Sequence, residues 1–195
     1  MVVLRGDELE IVMESLMLEL GFKYFRNVRF TKNDSYRQID GCYVYADKCA
    51  IVECKISSNG SVGYRLSNGE VSRKGQLLPK LDNIVDKLED ERLFTGADRA
   101  ILVTNSTFAS SVHDEASKYK IMIIEGKDLN ARLEGMGCRS DVNTLMESVD
   151  LDAFDLRQYP VSGDRLRDAL GSFTRYLASR SSLLNRLRVV PQNTT

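Results

Sequence analysis

The sequence predicts an α/β fold, a mixed sheet flanked by helices, with an α-helical segment appended at its C-terminus. Three patterns carry that prediction. The chain opens on an amphipathic helical repeat. Short alternating runs around a tight turn follow. Two continuous apolar runs, 99–105 and 120–126, are then each succeeded by a helical segment, the order of βαβ crossovers.

The elements follow in order. "GDELEIVMESLMLELGF" places apolar residues at Leu9, Val12, Met13, Leu16, Met17 and Leu20, which is helical spacing, and Gly21 is a natural stop. "FKYFRNVRF" alternates and is rich in aromatics, as a strand is. After the polar "TKNDSYR", the run "RQIDGCYVYADKCAIVECK", Arg37 to Lys55, reads as a two-stranded hairpin. "SSNGSVGYRLSNGEVS", 57–72, is expected to be a mobile surface loop or a small excursion. "RKGQLLPKLDNIVDKLEDERL" is expected to be helical, with Pro79 near its first turn. "RAILVTN" is a central strand, "TFASSVHDEASKY" a helix capped by Thr107 or Ser106, "KIMIIEG" another buried strand and "KDLNARLEG" a short helix.

This first domain is expected to span 1–135, with 136–195 a helical segment for recognition, dimerisation or packing. In that segment "SDVNTLMESVDLDAFDLRQYP" looks like short helices. The run after Pro160 spaces Leu166, Leu170, Phe173, Leu177, Leu184 and Leu187 in steps of three and four, interrupted by Arg180. Such a leucine seam suits a homodimer contact, and equally a helix docked on its own domain.

Composition narrows the class. With 43% hydrophobic and 28% charged residues in 195, the chain has the make-up of a globular protein able to bury a core without staples. No apolar run approaches the ~18 residues of a membrane span, and the acids at Asp7 and Glu8 leave no room for a secretory h-region. Cys42, Cys49, Cys54 and Cys138 show no C-x-x-C spacing. Three of them sit in the hairpin, where Cys acts as a small apolar residue, so a cytoplasmic, reducing setting is expected. His113 is the only histidine, which argues against structural zinc and against any two-histidine mechanism; it reads as a half-exposed helix residue. Net charge is −1, but six Arg face two Asp between 164 and 188, a local +4.

The hairpin carries charges that apolar strands rarely hold. Glu53 and Lys55 share a face, with Val52 and Cys54 pointing the other way. If the turn is Asp47-Lys48, Asp40 pairs with Lys55. Any even-length loop brings Asp40, Glu53 and Lys55 to one face, and an odd one separates Asp40. Two carboxylates there make a hard oxygen site of the kind Mg²⁺ prefers, with Mn²⁺ an alternative, and an adjacent ammonium could orient a water or steady developing charge. The same spacing also fits a cross-strand Asp40–Lys55 ion pair on a solvated face.

"QID", followed by "VECK" with Glu53 thirteen residues after Asp40, resembles the core of the PD-(D/E)xK nuclease superfamily, and within it the Mrr-type restriction endonuclease-like group. The resemblance extends over about residues 5–134. "GDELE" before the first helix looks like the group's opening helix, which carries a Glu, here Glu10. "AILVTNSTFASSVHDEASKYKIMIIEGKDL" is similar to its later strand–helix–strand–helix segment. Ile39 stands where a Pro is common. The resemblance implies a restriction endonuclease-like core and Mg²⁺-dependent endonucleolytic cleavage of DNA, of a restriction or defence type. It implies that Asp40, Glu53 and the Cys54 backbone carbonyl ligate the metal and that Lys55 positions or activates water. Glu10 would assist, or else serve as a solvated first-turn acid, and Gln76, on the helix after the E-x-K strand, would lie near the scissile backbone. Arg65, Arg73 and Lys74, and Arg165, Arg167 and Arg175, are the candidate DNA contacts. Two rivals remain beside this reading: a structure-selective nuclease of the Holliday-junction resolvase kind, and a non-catalytic DNA-binding module on the same fold.

Overall fold

The computed structural model describes residues 6–45, 48–58, 60–63, 65–73, 76–154 and 157–171, with 65–82 described through the backbone alone. Helix α1 (Gly6–Glu19) opens the chain and is followed by strands β1 (Lys23–Lys32), β2 (Ser35–Tyr45) and β3 (Lys48–Lys55). A two-residue strand β4 (Ser61–Val62) leads into a ribbon of β5 (Arg65–Arg73) and β6 (Gln76–Asn83). Then come α2 (Ile84–Thr95), β7 (Arg99–Thr104), the short β8 (Thr107–Phe108), α3 (Ser110–Ala116), β9 (Ile121–Ile124) and α4 (Gly126–Gly135). After α4 come α5 (Val142–Glu147), a 3₁₀ turn (Leu151–Ala153), β10 (Tyr159–Ser162) and α6 (Leu166–Gly171).

Six strands form the main sheet in the order β10-β1-β2-β3-β7-β9. The β1–β2 and β2–β3 pairs are antiparallel, while β3–β7, β7–β9 and β1–β10 are parallel. Alternation along each strand divides the core. Phe25, Ile51 and Leu102 pack with Val85 and Leu88 of α2, Val112 of α3, and Leu166 and Leu170 of α6. Val52, Cys54, Ile101 and Val103 pack on the opposite face with Leu9, Met13 and Leu16 of α1, Leu129 of α4, and Leu145 of α5. The expected mixed sheet with helices on both faces is therefore the architecture observed. The four cysteines are free, and Cys42, Cys49 and Cys54 are buried as small apolar side chains.

Local chemistry sets the boundaries. The Asn83 side chain accepts the amides of Val85 and Asp86, capping α2, and Gly96 ends that helix in the left-handed region at φ 66°. Asp141 caps α5 by accepting the Thr144 amide. A buried ion pair, Arg26 Nε to Glu14 Oε2 at 3.3 Å, ties α1 to β1.

Four expectations change. Residues 57–72 were expected to form a mobile loop or a small excursion, and within that stretch the described residues supply β4, which pairs with β8, and most of β5, which pairs with β6. The helix expected from Arg73 begins only at Ile84. Asn83 claims the cap, and Pro79 sits in β6 opposite Glu70, where a two-stranded ribbon leaves one edge unpaired and tolerates the missing N–H. The third helix is not capped by Thr107 or Ser106: Thr107 and Phe108 belong to β8, and the N-cap position is Ala109. Strand β9 is only partly buried, with Met122 exposed, because it lies at the sheet edge.

The segment after 135 is not purely helical, since β10 extends the main sheet beside β1. Leu166 and Leu170, the first two positions of the leucine seam, are buried in this chain's own core, while Phe173, Leu177, Leu184 and Leu187 lie outside the described residues. Among the described residues no helix is long and apolar enough to cross a membrane.

Candidate active site

The hairpin register decides where the charges meet. Tyr45 opposes Lys48 and Gly41 opposes Val52, so two residues lie between the paired strand ends. The loop is even, as the clustering requires, but the register is shifted by two from an Asp47-Lys48 turn. One further step puts Asp40 opposite Glu53 rather than Lys55. On the other side of β2 the ladder breaks at the same level. Arg26 opposes Gly41 and Val28 opposes Ile39, while Asn27, between them, takes φ 53°. The Asp40 carboxylate turns onto β3, where its Oδ2 accepts the Cys54 amide at 2.8 Å. A side chain thus replaces a β2 carbonyl at the point where the two strands part.

Glu53 points away from Val52 and Cys54, toward α2, and is 3% exposed. Its Oε1 accepts from Lys55 Nζ at 2.5 Å and from Lys87 Nζ at 3.3 Å. The same Lys55 ammonium donates to the Cys54 carbonyl at 3.2 Å. Lys55 therefore joins two of the three oxygens that the sequence nominates as metal ligands, and it stands as a cation where those oxygens converge. Among the described residues no three Asp, Glu, His or Cys side chains are gathered at metal-holding spacing.

The electrostatics are those of a crowded acidic corner. Burial raises the Asp40 carboxyl to about 7, with Glu53 adding to the effect and Lys55 and the Cys54 amide opposing it. Glu10, one turn before Glu14 on α1, is pushed up to about 8, first by burial and then by Asp40. Burial alone would also raise Glu53, but Lys55 and Lys87 outweigh it and hold this carboxyl below its ordinary range. Burial works against the charged form of Lys55, yet Glu53 and Asp40 keep the ammonium above its usual value. Opposite charge near a group favours its ionised form and like charge disfavours it.

Asp40, Glu53, Lys55 and Glu10 are thus brought together from β2, β3 and α1. Gln76 is not on a helix: it begins β6, opposite Arg73, at the far end of the ribbon from Asn83, some 20 Å along an extended strand. Arg65 and Arg73 lie on β5 of that ribbon, while Lys74 and Arg175 lie outside the described residues. Arg165 is exposed beside Gly96, at the end of α2. Arg167 donates to Asp98 Oδ2 at 2.6 Å, and that same oxygen accepts the Cys49 amide. This anchors Arg167 at the start of β3, roughly 20 Å from Lys55 at the rise of a strand. His113 is half-exposed on α3 and pairs with Glu125 at 3.1 Å.

Two site residues escaped the sequence reading. Lys87 touches Glu53 and lies 3.5 Å from Glu91, whose carboxyl is raised to about 7 by burial and by Glu53. Their signal was present as an i,i+4 Lys–Glu pair in "DKLEDE", but such pairs are common on solvated helix faces.

No protein-family model matches the chain, and neither does any curated protein. Among solved structures, the chain is similar to AF1548, a protein of unknown function, with a TM-score of 0.54 at 16% identity, over 74% of this chain and 76% of that one. The restriction endonuclease MspJI, in complex with a 27-mer oligonucleotide, gives a TM-score of 0.45 at 16% identity over 86% of this chain, which spans 36% of that protein's length. At these identities the likeness to AF1548 is one of fold, and this chain is a mixed α/β sheet protein of that architecture.

Proposed function

We propose that this protein is a divalent-metal-dependent endodeoxyribonuclease of the PD-(D/E)xK type, Mrr-like in its group. The observation that carries the reading is the convergence at the β2–β3 parting. The Asp40 carboxylate lies on the Cys54 amide, and Lys55 bridges Glu53 and the Cys54 carbonyl. Asp40, Glu53 and the Cys54 carbonyl would hold Mg²⁺ or Mn²⁺. This donor set fits such an ion, because all its members are hard oxygens and an ammonium already fills part of the space between them. When bound, the ion would supply Lewis acidity toward a phosphodiester oxygen.

The chain's own residues do the rest. Asp40 is fixed by the backbone of β3, so the acid is oriented before substrate arrives. Lys55, released from Glu53, holds the attacking water by hydrogen bonding and neutralises charge on the phosphorane-like transition state. The P–O bond that forms is to that water, which gives up one proton to solvent; the one that breaks leaves an alkoxide, which takes one proton from solvent to become the free hydroxyl end. Glu10 closes the corner from α1 and orients water there. The DNA backbone would approach from the side of the ribbon, whose strand β5 begins at Arg65 and ends at Arg73, with Arg165 a further candidate phosphate contact; Lys74 and Arg175 stay candidates by their charge in the sequence alone. Arg167, committed to Asp98, has a packing role instead.

The test is cleavage of supercoiled plasmid and of a four-way junction in Mg²⁺, in Mn²⁺ and in EDTA. Metal-dependent nicking of the plasmid is expected. Preferential cutting of the junction would favour the resolvase-like reading. DNA binding without cutting in either metal would favour the binding module.

A further inference from the structure

Lys87 and Glu91 have no part in the reaction as proposed, yet they complete its charge. Glu53 Oε1 carries two ammonium groups at once, from Lys55 at 2.5 Å and Lys87 at 3.3 Å. Two cations on one carboxylate oxygen repel each other, and the negative charge of Asp40, with Glu91 beside Lys87, helps to hold them there. With Lys87 and Glu91 added, Asp40 and Glu53 stand among one further carboxylate and two ammonium groups rather than facing Lys55 alone.

Lys87 also has somewhere else to go. It lies one helical turn before Glu91 on α2, with its Nζ 3.5 Å from Glu91 Oε1. Glu91 is 3% exposed, and its second oxygen, Oε2, is buried without a hydrogen-bond partner. A buried carboxylate oxygen left unsatisfied is costly, and an approaching ammonium would relieve that cost. The Lys87 side chain is 45% exposed, so a rotation about its own bonds has room.

We propose that Lys87 and Glu91 form a cation-exchange pair for the nuclease site. Lys87 neutralises Glu53 while no metal is bound, and it transfers wholly to Glu91 when a divalent cation takes Glu53. Lys87 is then a positioning residue that competes with the metal, and Glu91 is the acceptor that makes its release favourable. This rests on the metal-nuclease reading of Asp40 and Glu53, and it adds a function for α2 that the E-x-K motif does not contain.

The experiment is calorimetric titration of Mn²⁺ into the wild-type protein, into Lys87→Met, Lys87→Arg and Glu91→Gln, and into Asp40→Asn as the site control. A crystal structure of the Mn²⁺ form accompanies it. Lys87→Met should tighten Mn²⁺ by about fivefold, the worth of one modest ion pair, and Lys87→Arg should restore wild-type affinity. Glu91→Gln should weaken it, and the Mn²⁺ structure should show Lys87 on Glu91 and off Glu53. A Lys87→Met affinity that is unchanged or weaker overturns the inference. So does a Mn²⁺ structure with Lys87 still on Glu53, or with Glu91 itself as a ligand. If Mn²⁺ binds and Asp40→Asn abolishes it while the Lys87 variants are silent, only the exchange pair falls. If wild-type protein binds no Mn²⁺ that depends on Asp40, the nuclease reading falls with it.

Discussion

At the scale of single residues, the corner formed by Glu10, Asp40, Glu53 and Glu91 is acidic beyond what its two lysines neutralise, and its protons record that. Asp40 and Glu91 stand at about 7 and Glu10 at about 8, each raised first by burial, while free carboxyls ionise near 4. A folded-state value above the unfolded one gives stability that is fully present below the unfolded pKa and lost as pH rises through the folded one. The metal-free protein should therefore melt at progressively lower temperature from about pH 5 to pH 8 and level off by pH 9, as scanning calorimetry in EDTA would show. Over the same interval Mn²⁺ should bind more tightly, because fewer protons remain to be displaced. A flat melting profile in EDTA would mean these carboxyls are not held in their protonated forms.

At the scale of elements, the site depends on contacts that no motif records. Asn105, just past β7, accepts the Ser57 amide at 2.9 Å and donates to the Ser57 carbonyl at 3.2 Å, pinning the chain as it leaves Lys55. Gly126 opens α4 directly against it, and a Cβ there would stand 2.3 Å from the Asn105 carbonyl oxygen. That neighbour is backbone and cannot swing aside. Gly126→Ala should cost about 2 kcal/mol or more in urea unfolding, in the range of overpacking. Gly135→Ala, at the other end of α4 with open space around it, should be neutral or gain up to about 1 kcal/mol. Equal effects at the two glycines would remove Asn105 from this role.

Element by element, legibility in the sequence tracked how local the determining physics was. That Glu53 and Lys55 share a face was readable, because faces alternate whatever the register, but whether Asp40 joins them hung on the parity of the loop, which the sequence left open. The register was not readable either, and it is set by the pairing of Tyr45 with Lys48. Glu10 was named through the resemblance of the opening helix, and the apolar repeat accounted for the helix alone. Lys87 and Glu91 were hidden because residues 76–83 read as the start of their helix, when Asn83 caps it and the preceding stretch pairs with β5. Arg167 looked like a phosphate contact from local charge alone, and only the fold brings Asp98 to it.

At the scale of the whole molecule, the composition change near residue 135 does not mark the end of the core. Val142, Leu145 and Met146 cover α1, Val161 lies in β10 beside β1, and Leu166 and Leu170 close the α2 face. Removing six buried apolar side chains would forfeit roughly 10 kcal/mol of burial, comparable to the whole stability of a domain. A fragment ending at residue 135 should therefore fail to unfold cooperatively in a thermal scan, while one ending at residue 171 should retain a sharp transition. A cooperative 1–135 fragment would restore the boundary that composition suggests.

The most direct measurement on the central claim is the rate of supercoiled-plasmid nicking in Mn²⁺ by wild-type protein, Asp40→Asn and Lys55→Met, each shown by its melting curve to be folded. Wild type should nick the plasmid and lose that activity in EDTA, and each variant should be slower by at least about a hundredfold, the scale of losing a group that acts on the transition state. Nicking that persists at the wild-type rate in both folded variants would place the chemistry away from the β2–β3 corner and contradict its assignment as a nuclease site.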